Sequence, residues 1–350
     1  MNTKTTPWTR TLTAAFTLGA ALVAHSPASA QKVVELTYSS WLPSTHPLMA
    51  DFMLPWGQQV EKATEGRIKV NFLPKAITNP PGHYDAVKNG VVDLAFISHS
   101  YYPGRFDLMK VATLPFSGNS SQSTSLAAWH LFDKYLRDAN EHRGVKVLGI
   151  YGHGPGAVHT TSKVVEKVKD FDGLKIRVGG GMAADVAKVL NVNAVVKPAP
   201  DSYELLSTGV VDGVFFPTES LASFRLDDIV RHTTLFPGGL YSDTHAVIMN
   251  EQAFQRLPEA DRAALMKLSG EHIARMAGKA WGEADTAGLK SMRAKGVTIH
   301  EASPQLIADI KKRTAPFEQA WLDAAKAKGI DGPKVLQAFQ EDLKQIEAGK

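Results

Sequence analysis

Gly173-Leu174-Lys175-Ile176-Arg177-Val178-Gly179-Gly180-Gly181 reads as a short strand with one arginine near its carboxyl end, then a glycine loop, then a helix from about Met182. In an open α/β sheet, ligands bind in the crevice outside the carboxyl ends of the strands. A helix N-terminus adds unpaired backbone N–H groups and partial positive charge. Arginine brings a planar fork of donors that matches a carboxylate in two-point contact. Arg177 at this address is expected to hold the carboxylate of a small organic acid. An arginine tied to a structural aspartate explains the same stretch equally well at this point.

Outward from that stretch, the pattern repeats. Before it, Val33–Tyr38, Arg67–Leu73 and Val91–Ile97 read as strands, with helices over Leu48–Ala63 and Tyr84–Asn89 between them. That is a β-α-β-α-β unit with parallel strands and right-handed crossovers. Leu126–Leu136 reads as a helix and Val145–Tyr151 as a strand. The second unit has strands at Leu174–Val178, Ala194–Lys197 and Val211–Phe216, with helices at Met182–Leu190 and Tyr203–Thr208. Tyr84–Phe96 and Tyr203–Phe215 echo each other around Gly90-Val91-Val92-Asp93 and Gly209-Val210-Val211-Asp212, so two similar α/β halves are expected. Pro258 to about Lys295 reads as one helix of about 55 Å, long enough to cross both halves. Its internal Gly270, Gly278, Gly282 and Gly288 are points where it could kink. A short strand at Val297–His300 and amphipathic helices from Pro304 to Glu347 complete the chain.

The first thirty residues read differently. Lys4 and Arg10 form a basic start, Leu12–Ala24 an apolar run too short to span a bilayer, and Ala28-Ser29-Ala30 a small-x-small cleavage pattern. Residues 1–30 are therefore expected to be a secretory signal peptide, with the mature chain acting outside the cytoplasm. Removing Lys4 and Arg10, the charged residues of that segment, takes the formal net charge from +4 to +2. That near-neutral balance, with no basic stripe and interleaved aromatics, argues against nucleic acid as a partner. The sequence has no cysteine, which excludes thiolate nucleophiles and thiolate metal sites.

Catalytic motifs are sparse. Gly179-x-Gly181-x-x-Ala184 fits a dinucleotide fingerprint, and Asp201 lies at about the distance of a ribose-binding acid. Asp201, however, follows Pro198 and Pro200 in a loop rather than ending the next strand. A periplasmic dinucleotide-dependent oxidoreductase is thus the alternative from another class. No G-x-S-x-G elbow and no H-E-x-x-H helix occur. His153 and His159 flank Gly154-Pro155-Gly156 and lack metal-ligand spacing. Asp138, Glu141 and His142 read as a solvated helix end, and Arg105, beside Pro103-Gly104, as a turn-tying arginine. No enzyme activity, cofactor or metal is expected.

The motifs taken in order resemble the extracytoplasmic solute-binding subunits of tripartite ATP-independent periplasmic (TRAP) transporters, the family of the C4-dicarboxylate-binding proteins. The matching residues are Gly66-Arg67-Ile68-Lys69-Val70, Gly90-Val91-Val92-Asp93, Gly104-Arg105-Phe106, Leu114-Pro115-Phe116, Thr161-Ser162, Asp172–Val178, Gly209–Gly213 and Val247-Ile248-Met249-Asn250. The resemblance implies a two-lobed periplasmic binding protein fold of the α/β class, with interleaved chain crossings and a long helix spanning both lobes. Residues 31–154 with 243–283 would form one lobe, and 155–242 with 284–350 the other. The lobes would close over an organic acid and dock on membrane permease subunits, Arg177 pairing with the substrate carboxylate.

Two departures bear on the ligand. Phe216 precedes Pro217 where the family commonly has asparagine, and Val158 stands near where some members place a second arginine. The expected ligand is therefore a monocarboxylate with an apolar or aromatic body, such as a 2-oxo or 2-hydroxy acid, with a sugar acid or dicarboxylate as the alternative. Phe216, rather than its neighbour Phe215, is expected to face the cleft. Trp41, Tyr101, Tyr102, His153 and Tyr241 complete the expected lining.

Overall fold

A computed structural model describes residues 1–6 and 33–349. The expected signal peptide lies, apart from its first six residues, outside the described residues.

Two sheets organise the chain from Val33 onward. The first has the order β2-β1-β3-β10-β4, from β1 (Val34–Ser39), β2 (Ile68–Phe72), β3 (Leu94–Ser98), β4 (Val145–Gly152) and β10 (Thr244–Asn250). The second has the order β11-β9-β5-β8-β6-β7, from β5 (Ala157–Thr160), β6 (Lys175–Val178), β7 (Asn193–Val196), β8 (Gly213–Phe216), β9 (His232–Leu235) and β11 (Thr298–Glu301). In each sheet three strands run parallel, β2-β1-β3 and β7-β6-β8. Each parallel trio is then flanked by an antiparallel strand that the chain supplies after crossing from the other sheet: β10 beside β3, and β5 beside β8. The two halves therefore share one topology, and the short sequence echo falls on equivalent strands, β3 and β8.

The echoed Val-Val-Asp segments are not strand, as expected, but tethers beside one. The Asp93 carboxylate accepts from the backbone N–H and hydroxyl of Thr37 on β1, at 2.9 and 2.8 Å. Asp212 accepts from the backbone N–H of Lys175 on β6, at 2.8 Å. The carboxylates satisfy groups on the neighbouring strand, so β3 and β8 begin only after them.

Helices cover the sheets. In chain order they are α1 (Leu54–Ala63), α2 (His83–Lys88), α3 (Ser121–Leu131), α4 (Gly181–Val189), α5 (Ser202–Ser207), α6 (Glu219–Ser223), α7 (Glu251–Arg256), α8 (Glu259–Lys267), α9 (Glu271–Ala294), α10 (Pro304–Thr314), α11 (Pro316–Ala327) and α12 (Gly332–Glu347). The single helix expected over 258–295 is divided. Gly270 takes φ +63° between α8 and α9, a conformation suited to glycine, and its N–H bonds to the Leu148 carbonyl of β4. The remaining helix, α9, has 24 residues, so it is about 36 Å long. It packs on α3 and β4 beside the first sheet and on α6 and β11 beside the second.

Strands β5, β9 and β10 fall outside the strands that the sequence pattern predicts. β5 and β9 have four residues each and, unlike the equally short β6, β7 and β8, stand outside the strand–helix–strand alternation that marks those out. The last helices also depart from the expected division. α11 packs on the Leu108–Thr113 turn, where the Trp321 indole N–H donates to the Leu108 carbonyl at 2.8 Å, and α12 packs on α3. The end of the chain is therefore attached to elements of the first half. Glu141 and His142, expected to be solvated, are buried. Glu141 pairs with Lys328 of the segment after α11, and the His142 ring lies 2.9 Å from that of His99.

Candidate functional site

A cavity of about 60 Å³ lies where loops after β1 and β3 of the first sheet meet loops after β6 and β8 of the second, with Trp281 of α9 behind it. Both sheets thus present the carboxyl ends of parallel strands to one space.

Arg177 on β6 is 1% exposed and lines this cavity. Its Nε donates to the Lys197 carbonyl at 2.9 Å. Among the described residues no carboxylate lies within 4.0 Å of its guanidinium. The structural-aspartate reading therefore fails. Burial lowers the Arg177 pKa from its ordinary value, an effect opposed by the nearby Tyr101 and Tyr241 hydroxyls and, more weakly, by the charge of Asp201. An uncompensated buried cation costs several kcal/mol, roughly, unless an anion joins it.

The rest of the wall is aromatic. The Arg177 guanidinium sits over the Phe216 ring, and Phe216 stacks on Phe224 at 5.9 Å. Phe215, its neighbour on β8, is fully buried between Phe171 and Tyr241, and it also borders the cavity. Trp41 packs at 4.8 Å on Phe96 and at 6.0 Å from Tyr101. The Tyr101 hydroxyl accepts from the Ala199 N–H at 2.9 Å, joining the two halves across the cavity mouth. His153 packs edge-on to Tyr241 at 5.4 Å, and burial lowers it to about 4, so its ring is neutral near pH 7.

Of the residues expected to line the site, Arg177, Phe216, Trp41, Tyr101, His153 and Tyr241 converge here. Tyr102 does not. The turn at His99–Tyr101 sends adjacent side chains in opposite directions, and the Tyr102 hydroxyl accepts from the Tyr84 N–H at 3.1 Å. Arg105, expected to tie the Pro103-Gly104 turn, instead lies over the Tyr84 ring at 3.7 Å and does not line the cavity.

Several lining residues were not anticipated. Asp243, just before β10, is half-buried and accepts from the hydroxyls of Ser98 and Ser100 at 2.5 and 2.7 Å. Burial raises its pKa, with His153 and these hydroxyls opposing the shift. His46, Glu219, His245 and Trp281 also reach the cavity. Only His46 carried a usable signal, its place in the loop after β1. Asp243 could not be placed without recognising β10.

The glycine loop serves as a seat. Gly180 has φ +112°, and a Cβ there would stand 2.5 Å from the Ser100 carbonyl oxygen of the first half. That carbonyl occupies the space over the glycines where a pyrophosphate would approach.

The family profile for bacterial extracellular solute-binding protein, family 7, matches residues 38–325. A TRAP periplasmic solute-binding protein from Bordetella bronchiseptica, solved with bound (R)- and (S)-mandelate, is 59% identical, over 89% of this chain and 99% of that one, with a TM-score of 0.88. A marine-metagenome TRAP protein specific for aromatic acid ligands, in complex with 3-hydroxybenzoate, is 29% identical, over 90% of this chain and 99% of that one, with a TM-score of 0.84. A TRAP protein from Rhodoferax ferrireducens with copurified benzoate is 27% identical, over 89% of this chain and 98% of that one, with a TM-score of 0.83. This chain belongs to family 7 of the bacterial extracellular solute-binding proteins, the solute-binding proteins of TRAP transporters.

Proposed function

We propose that this protein captures an aromatic monocarboxylate in the periplasm by closure of two lobes and delivers it, without chemical change, to TRAP membrane permease subunits. The observation that carries the reading is the buried Arg177 guanidinium, with no carboxylate within 4.0 Å among the described residues, set on an aromatic wall. A ligand carboxylate supplies the missing charge, and its ring fills the space between Trp41, Phe216 and Tyr241. Mandelate, 3-hydroxybenzoate and benzoate, held by the similar proteins, all fit that description. The lobes are read as 33–154 with 243–283, and 155–242 with 284–315, helices α11 and α12 being joined to the first.

A dicarboxylate or sugar acid is less suited. Among the described residues Arg177 is the only lysine or arginine lining the cavity, and Val158 is buried in the core. Thermal-shift measurement with a panel of carboxylates tests the reading. A ligand at 100 times its Kd stabilises the fold by about 2.7 kcal/mol. Aromatic monocarboxylates are expected to raise Tm, and a response confined to sugar acids or dicarboxylates overturns the reading.

A further inference from the structure

Beyond Phe216 and Phe224, the end of the cavity away from Arg177 is not purely apolar. His46, from the loop after β1, packs against Phe224 at 5.6 Å. Its Nε2 lies 3.8 Å from Oε1 of Glu219, the first residue of α6. The side chains are 2% and 3% exposed. At 3.8 Å the two do not hydrogen-bond. His46 Nε2 and Glu219 Oε2 are both buried, and among the described residues neither has a hydrogen-bond partner. One residue belongs to each half of the molecule, and both line the cavity.

Their protonation states follow from their surroundings. The Leu48 backbone N–H points at His46 Nδ1 from 3.3 Å, so Nδ1 accepts and the ring proton of the neutral form sits on Nε2. Burial lowers His46 to about 4. Burial, reinforced by Asp285 of α9, raises Glu219 to about 8, with the hydroxyls of Ser220 and Ser223 opposing. Near pH 7 the pair is an imidazole N–H donor beside a carboxylic acid, which both donates and accepts.

We propose that His46 and Glu219 form a hydroxyl-reading subsite, selecting aromatic acids that carry a hydroxyl on the ring, remote from the carboxylate. A phenolic oxygen there accepts from His46 Nε2–H while its own O–H donates a hydrogen bond to a Glu219 oxygen, which gives both orphaned atoms a partner. An unsubstituted ring leaves them unpaired, and buried unpaired polar groups are what make such sites discriminate. This inference rests on the proposed aromatic-acid reading of the same cavity.

Isothermal titration of the full mature protein with two matched sets tests it: benzoate against 3- and 4-hydroxybenzoate, and phenylacetate against 3- and 4-hydroxyphenylacetate. In at least one set a hydroxylated acid is expected to bind about 10-fold tighter. Glu219→Leu is expected to bring that ratio to about one, and Glu219→Gln, which keeps a donor and an acceptor, to preserve most of it. A crystal structure of the wild-type complex, which needs no variant to fold, is expected to place the phenolic oxygen within hydrogen-bond distance of both side chains. Equal affinities within both sets, or a phenolic oxygen elsewhere, overturn the subsite. Failure of every aromatic acid to bind overturns the underlying ligand reading instead.

Discussion

The guanidinium carbon of Arg177 lies 4.3 Å from the centroid of the Phe216 ring, so neighbouring strands β6 and β8 present a cation and an aromatic face as one surface. The charge that attracts a carboxylate is therefore already held flat, Nε being tied to the Lys197 carbonyl and the two terminal nitrogens turned to the cavity side as the paired donors.

Arg177→Met is expected to weaken binding of an aromatic carboxylate by 100-fold or more, about 3 kcal/mol, as for truncation of one partner in a buried ion pair. The ligand-free Tm should hold or rise, because among the described residues no carboxylate within 4.0 Å offsets the deleted buried charge. Calorimetric titration and thermal unfolding check both. Binding kept within threefold would remove Arg177 from the site.

Phe216→Leu separates the ring face from mere apolar bulk. A desolvated cation–π contact contributes about 1–2 kcal/mol, so the variant should bind benzoate roughly 10-fold more weakly. An unchanged Kd would show that the stacking does not position the guanidinium.

Gly180→Ala tests the seat between the halves. Its φ of +112° costs an L-residue about 1–3 kcal/mol, and the new methyl would collide with the Ser100 carbonyl. Ligand affinity should fall at least 10-fold, and small-angle scattering should show a wider liganded molecule than in the wild type. Wild-type affinity and dimensions would refute the seat.

Stability should peak near pH 6.5. Burial lowers the histidines 46, 83, 99, 142, 153, 159 and 245 below their ordinary 6.5, with His142 and His245 at about 3. These rings bind fewer protons folded than unfolded below about pH 6.5, down to about 4 for His46, His153 and His159, so stability falls as pH drops from 6.5, by up to about 1.4 kcal/mol per pH unit for each. Glu141, Glu219, Asp243 and Asp285 are raised. They bind more protons folded and lose stability as pH rises, Asp285 toward about 6 and Glu219 toward about 8. Seven histidines outweigh four carboxyls below 6.5, and above it Glu219 leads. A Tm that climbs steadily from pH 7 to pH 5 would contradict this balance.

What the sequence revealed follows the range over which each signal acts. The parallel trios announced themselves through strand, helix and glycine alternation within some forty residues, and Arg177 through its address at the end of one such strand. The site's other half depends on pairings between distant residues. Asp243 reaches Ser98 and Ser100 only because β10 inserts beside β3, and Glu219 meets His46 only when two loops converge. Tyr102 lies outside the cavity because a tight turn separates it from Tyr101, a distinction that composition does not encode. The long helix was overextended because Gly270 fits a helical pattern as well as a break.

Thr244 sits opposite Gly152 in the ladder between β10 and β4. The chain thus leaves the first sheet and re-enters it at adjoining points, having built most of the second sheet in between. During synthesis β3 and β4 emerge early but have no strand to separate and join them until residues 244–250 follow. An amino-terminal fragment ending before residue 244 therefore carries an unfilled slot at the centre of its sheet. Truncation series read by protease resistance should show a sharp gain on passing residue 250, marking the moment at which both halves become committed together.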